Sequence, residues 1–289
     1  MEIRPLDRSR LAEATALLQA AYAFDRMDVV AEEKLFGNDG ARQGYRLGAF
    51  EGETLCGVLG GAGRWIKILA VATERQRRGI ASALLTAAAL QIKQPFRIAD
   101  HPGNYLCPGV DARSQAATAF LQARGFHPTG EVENIRAPLE HNPLVDATRL
   151  AELRKGAAQA GYECRRATRE ELPRLVEWIG ATFATVWAHE AQRALWGPRA
   201  ALHVAVHNNS YVAFAAADGN NQGLGWFGPA GTAPEHRGRR LGEGLLVACL
   251  LDVAGLPEAG VIAWIGPKPF YQRSVGAVDD RRFVQWDQK

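Results

Sequence analysis

Hydrophobic positions along the first half of the chain change period several times. EIRPL, residues 2 to 6, predicts a strand. Between residues 8 and 24, Leu11, Ala14, Leu17, Leu18 and Ala21 recur at the spacing of one helical face. YRLGAF and TLCGVLGG predict strands joined by the polar turn Glu51-Gly52-Glu53, and WIKILAV, residues 65 to 71, predicts a third. A helix is predicted over 79–92, a strand at FRIAD, a second helix over 114–124, and strand again beyond Gly125.

The second half repeats the plan. Residues 169–184 predict a helix, and LHVAV and YVAFAAA predict strands around His207-Asn208-Asn209-Ser210. LGWFGPAGT predicts a strand, 240–254 a helix and VIAWIG a strand. A short helix is predicted from Phe270 and a last strand near 281–286.

The repetition extends to individual residues. Shifted by 161 positions, QRRGIASALL (76–85) falls on RGRRLGEGLL (237–246), with Ile80 on Leu241 and Leu84-Leu85 on Leu245-Leu246. FLQARGF (120–126) resembles FYQRSVGA (270–277) with one residue inserted. Two echoes in the same order point to two copies of one domain, each of about 130 residues, a common domain size. The expected limits are 1–140 and 163–289, with 141–162 as a linker that opens on the turn Asn142-Pro143 and continues as a helix. Strands outnumber helices in a mixed order, so the predicted class is α+β.

Composition narrows the function classes. With 47% hydrophobic and 22% charged residues among 289, the chain is globular. A net charge of +3 permits an anionic partner without requiring nucleic acid. The four cysteines, Cys56, Cys107, Cys164 and Cys249, have no metal-type spacing, and the seven histidines show none either, so no metal is expected. MEIRPLDRSR lacks the apolar core of a signal peptide, and no window approaches 18 uninterrupted apolar residues. A cytoplasmic protein without a membrane partner is expected.

Candidate chemistry concentrates at ERQRRGIASALL (74–85). Arg75, Arg77 and Arg78 crowd the start of an apolar helix, where the dipole and free N–H groups disfavour cations. A bound phosphate reverses that preference, and Gly79 lets backbone approach it without a Cβ. A single basic turn is an ordinary surface feature. Its recurrence at 237–242, again between strand and helix, points to a polyanion such as a diphosphate. Neither a Walker A loop nor a GxGxxG fingerprint is present.

Gln76-Arg77-Arg78-Gly79-Ile80-Ala81 resembles the Q/R-x-x-G-x-G/A signature of the GCN5-related N-acetyltransferases, the GNAT family. The resemblance covers both halves. It implies two tandem GNAT-like domains, each a mixed, mostly antiparallel central sheet flanked by helices, using acetyl-CoA as co-substrate. It implies that Gln76, Arg77, Arg78, Gly79, Ile80, Ala81 and Ser82 hold the pyrophosphate, and that Leu69, Ala70 and Val71 flank the thioester. The matching positions are Arg237, Gly238, Arg239, Arg240, Leu241, Gly242 and Glu243, with Ala230, Gly231 and Thr232 on the strand.

Acetyl transfer to an amine needs an oxyanion donor, a route for the amine proton and an acid for the leaving thiolate. In the family the acid is often a tyrosine in an F-Y-x-x-x-G-F-like run. Phe270-Tyr271 fits that run; Phe120-Leu121 does not, since leucine has no proton to give. Tyr271 makes the second copy the expected catalyst, although Arg240 stands where the signature expects glycine. The reverse arrangement would need Tyr105 as the acid. Asp100, His101, Asp111, His189, Glu190 and His203 are open as bases. The resemblance implies a small primary amine as acceptor, with an amino sugar such as glucosamine leading. A peptide amine, a non-catalytic CoA-binding role and nucleic-acid binding through RQRR and HRGRR are the rival readings; no accompanying nucleic-acid motif supports the last.

Overall fold

The computed structural model describes all residues from Met1 to Lys289. It divides into two compact units, Met1–Val132 with Arg282–Lys289, and Glu133–Arg281. The cut falls before residue 140, and the last eight residues belong to the first unit, although the sequence order placed them in the second domain.

The first unit runs β1 Glu2–Pro5, α1 Leu11–Ala21, α2 Met27–Phe36, β2 Gly44–Glu51, β3 Thr54–Ala62, β4 Trp65–Val71, α3 Ile80–Gln91, β5 Arg97–Ile98, β6 Val110–Asp111, α4 Gln115–Gln122 and the start of β7 Phe126–Arg136. β1 to β4 pair antiparallel in sequence order. β5 joins β4 in parallel, through Trp65 opposite Arg97 and Ile66 opposite Ile98. The helix α2 was not predicted. Its buried set includes Lys34 beside Val30, Ala31 and Leu35, so its inner face does not read as apolar.

The second unit contains the rest of β7, then α5 Ala147–Gln159, β8 Glu163–Arg166, α6 Leu172–Thr182, α7 Thr185–Trp196, β9 Leu202–His207, β10 Ser210–Ala217, β11 Phe227–Thr232, α8 Leu241–Val253, β12 Val261–Ile262, α9 Lys268–Val275 and β13 Val278–Gln288, whose far end lies in the first unit. β8, β9, β10 and β11 pair antiparallel, β12 joins β11 in parallel, and residues 135 and 136 of β7 flank β12. Helix α5, capped by Asp146 accepting from the Arg149 N–H at 2.6 Å, lies within the expected linker. Its Leu153 and Ala157 join the second unit's core, together with Leu245, Leu246 and Leu250 of α8.

Each unit thus takes one strand segment from the far end of the other copy's sequence. The tail of β13 pairs with β5 through Trp286 opposite Ile98, and with β6 through Phe283 opposite Asp111. Trp286 and Phe283 are almost fully buried. Two predicted strands are much shorter than expected and a third loses its first three residues. FRIAD stops at Ile98 because Ala99 adopts φ 70°, a left-handed turn that ends extended pairing. VIAWIG stops at Ile262, two residues before Trp264 at φ 48°, and LGWFGPAGT pairs only from Phe227.

Candidate active site

The two basic loops have the same backbone. Gln76 and Arg237 have φ/ψ of −62/161° and −69/164°, and each follows a single 3-10 turn, Thr73–Arg75 and Pro234–His236. Two left-handed residues alternate with extended or helical ones in each loop: Arg77 at φ 63° and Gly79 at 81°, Gly238 at 77° and Arg240 at 59°. Glycine and arginine exchange places between the copies while the conformation stays. A Cβ at Gly79 or Gly238 would meet no atom within 4 Å, so these glycines serve the backbone angle and not internal packing. An arginine held at positive φ carries strain of order 1 kcal/mol, and such strain gathers at functional turns.

Alternating hands turn successive N–H groups to one side, a concavity for anions. No side chain caps α3 or α8, so the first-turn N–H groups of both helices remain directed into that concavity. Gln76 to Gly79 and Arg237 to Arg240 are exposed, while Ile80 and Leu241 behind them are buried.

Their charges are balanced differently. Arg75 and Arg78 both reach Glu51, at 2.7 and 3.0 Å. In the second loop Glu243 holds Arg240 at 2.7 Å and Arg149 at 2.8 Å. Burial resists ionisation of Glu243, but the two guanidiniums keep its carboxyl below the usual range. Ser82, the matching position, accepts from Arg124 Nε at 3.0 Å.

Each loop follows a strand with an open flank. β4 and β5 share two rungs at their start and then separate; β11 and β12 share one, Phe227 opposite Ile262. Backbone groups alternate along a strand, so Leu69 and Val71 turn away from β3, and Ala230 and Thr232 turn away from β10. The Val71 carbonyl accepts from the Gln76 carboxamide at 3.3 Å, and the Thr232 carbonyl accepts from Arg237 Nε at 3.1 Å. Leu69 is also engaged. Its N–H donates to the Tyr22 hydroxyl at 3.1 Å, and that hydroxyl donates to its carbonyl at 3.3 Å. The residue 161 positions beyond Tyr22 is Phe183, whose ring packs on Gly231; a Cβ there would lie 2.6 Å from it. Neither aromatic was singled out from the sequence, although the 161-residue shift pairs them.

Tyr271 stands on α9 with its ring against Phe270 and Phe227, centroids 5.0 and 6.2 Å apart. Phe227 is the last paired residue before β11 and β12 part, so Tyr271 sits at the base of that fork. Burial pushes its phenol up to about 12, which keeps the proton on at neutral pH.

The candidate bases do not converge. Asp100 is buried against Arg97 and accepts from Gln285 at 2.8 Å. His101 is fully buried, edge-on to Trp65, and burial pushes its imidazole down to about 4. Asp111 accepts from the Arg113 N–H at 2.9 Å. His203 meets Asp252 at 2.7 Å. His189 lines an apolar groove of about 790 Å³ between α6 and α7, which neither loop nor splayed strand lines, and Glu190 is buried on α7. Tyr105 is buried in the connection after β5. None of the four cysteines is in a disulfide. No helix is long and apolar enough to cross a membrane.

No protein-family model and no curated protein sequence matches the chain. Solved structures do. A GCN5-related glucosamine N-acetyltransferase region of a fungal multi-domain β-N-acetylglucosaminidase superposes with TM-score 0.74 at 19% identity, over 99% of this chain and 38% of that one, so this chain spans well under half of it. A tandem GNAT protein from the clavulanic acid biosynthesis pathway gives 0.69 at 19% identity, over 99% and 97%. An acetyltransferase of the GNAT family from Colwellia psychrerythraea gives 0.62 at 14% identity, over the whole of both chains. Two loops of one backbone form, two splayed strands and end-to-end superposition on a tandem protein give one conclusion: the chain has the tandem GNAT acetyltransferase fold.

Proposed function

We propose that the protein is an acetyl-CoA-dependent N-acetyltransferase acting on a primary amine of a small molecule, with an amino sugar such as glucosamine as the leading acceptor. The observation that carries the reading is the recurrence of one loop conformation, αL residues included, at an uncapped helix N-terminus beside a splayed strand. That arrangement fits an elongated ligand with a diphosphate at one end and amides along its arm. Acetyl-CoA, when bound, supplies the activated acetyl thioester.

In the second unit the N–H groups from Gly238 to Glu243 would hold the diphosphate, with Arg237, Arg239 and Arg240 neutralising it. The outward groups of Ala230 would pair with the arm or polarise the thioester carbonyl. Tyr271 would hold its proton at the fork until the leaving sulfur needs it. No side chain is assigned as the base, because none of the candidates comes to this place; waters would carry the amine proton. The glucosamine acceptor is supported by the named activity of the fungal region, a neighbour in fold.

The test is thiol release from acetyl-CoA across glucosamine, galactosamine, aminoglycosides, polyamines, amino acids and a short peptide. Release with amino sugars supports the whole reading. Release with the peptide alone replaces the acceptor. Binding of CoA without release for any amine leaves a CoA-binding protein in place of an enzyme.

A further inference from the structure

The two units differ where a thioester would lie. In the first, the Tyr22 hydroxyl occupies both hydrogen-bonding groups of Leu69 on the open side of β4. A hydroxyl both donates and accepts, so it satisfies one residue's outward N–H and C=O together, as an amide of an added strand would. In the second, the equivalent Phe183 has no hydroxyl. Its ring lies on Gly231, and the outward N–H and C=O of Ala230 have no phenol between them and a ligand.

A second observation points the same way. The connection from β5 to α4 covers residues 99 to 114, whereas that from β12 to α9 covers only 263 to 267. The longer connection is buried through Asp100, His101, Asn104 and Leu106. It is tied to the α1–α2 side of its own unit: Asn104 accepts from Lys34 at 2.9 Å and donates to Asp39 at 2.8 Å, and the Cys107 thiol donates to Asp25 at 3.3 Å. The first unit thus carries a long buried connection where the second has five residues.

Resting on the acetyl-CoA reading, we infer that Tyr22 closes the first unit to acyl-thioesters, so that the chain binds a single acetyl-CoA, in the second unit. Tyr22 acts here as an internal substitute for the ligand's amide, and together with the buried 99–114 connection it distinguishes the closed copy from the open one.

Isothermal titration of the full chain with acetyl-CoA tests this, using the reciprocal variants Tyr22→Phe and Phe183→Tyr. Wild type is expected to bind one equivalent. Phe183→Tyr adds a hydroxyl to a ring whose edge lies on Gly231, beside Ala230, and is expected to weaken binding at least tenfold with an unchanged far-UV spectrum. Tyr22→Phe is expected to leave that one site's affinity unchanged. Two equivalents bound by wild type, or wild-type affinity in Phe183→Tyr, would overturn the inference and leave the acetyl-CoA reading intact. Absence of any binding by folded wild type would overturn both. If Phe183→Tyr unfolds, the wild-type stoichiometry decides alone.

Discussion

Trp286→Ala should damage the first unit, although residue 286 lies at the opposite end of the chain from most of that unit. Trp286 is 2% exposed, packs among Ile98, Phe96 and Leu121, and pairs with Ile98 on the neighbouring antiparallel strand. Truncating a buried tryptophan costs roughly 3–5 kcal/mol, transfer and cavity together. Next to it, Asp287 pairs with Arg64 and Arg97, and the Gln288 N–H donates to the Phe96 carbonyl at 2.8 Å. Deleting Arg282–Lys289 also removes Phe283, which is fully buried, so the loss rises to about 6–10 kcal/mol. That is comparable with the whole stability of an ordinary domain, about 5–15 kcal/mol. Hydrogen exchange by mass spectrometry, read on peptides spanning 65–71 and 97–98, reports this unit directly. The truncated chain is expected to lose protection there, and Trp286→Ala to lose several kcal/mol of it. Full protection of those peptides in the truncated chain would refute the strand assignment.

Other outcomes follow from the site. Gly231→Ala forces a methyl to within 2.6 Å of the Phe183 ring, an overpacking of about 1–3 kcal/mol; a fall in the urea midpoint is expected in the wild-type background and little further fall when Gly231→Ala is added to Phe183→Ala. At Asp252, burial opposes charge, yet hydrogen bonds from His203 and Arg166 hold the carboxyl below its ordinary 3.8. A depressed folded value means that its stabilisation is complete above about pH 4 and is lost as pH falls through the folded value; Asp252→Asn should flatten that acid limb in urea titrations below pH 4.5. Because Tyr271 is raised to about 12, kcat against pH should show no alkaline fall from this group up to pH 10, and a limb near pH 10 that disappears in Tyr271→Phe would contradict its burial.

Much of this was legible in the sequence because repetition amplifies weak signals. The shift of 161 residues located both loops, and in the structure it also aligns α1 with α6 and Tyr22 with Phe183. What escaped has physical causes. Helix α2 buries a lysine, and α7 opens on Thr185, Val186 and Trp187, residues that favour strands. The ends of β5 and β12 are set by left-handed residues, Ala99 and Trp264, whose types do not announce that backbone. Arg240 was read as a departure from glycine, yet it adopts the glycine conformation and gains Glu243 as partner. The exchange of strand segments between the copies could not be read from order along the chain, since pairing across long separations depends on tertiary fit. The candidate bases failed because a lone Asp or His carries no mark of whether its neighbour will be an arginine, a tryptophan or a substrate.

The most direct test of the account is the steady-state rate of acetyl-CoA thiol release with glucosamine, measured for wild type and Tyr271→Phe. Catalysis at the fork between β11 and β12 requires turnover by wild type and a drop in kcat of about a hundredfold or more in the variant. Equal rates in the two proteins would remove Tyr271 from the chemistry and move the acid's role to another group or to the first unit.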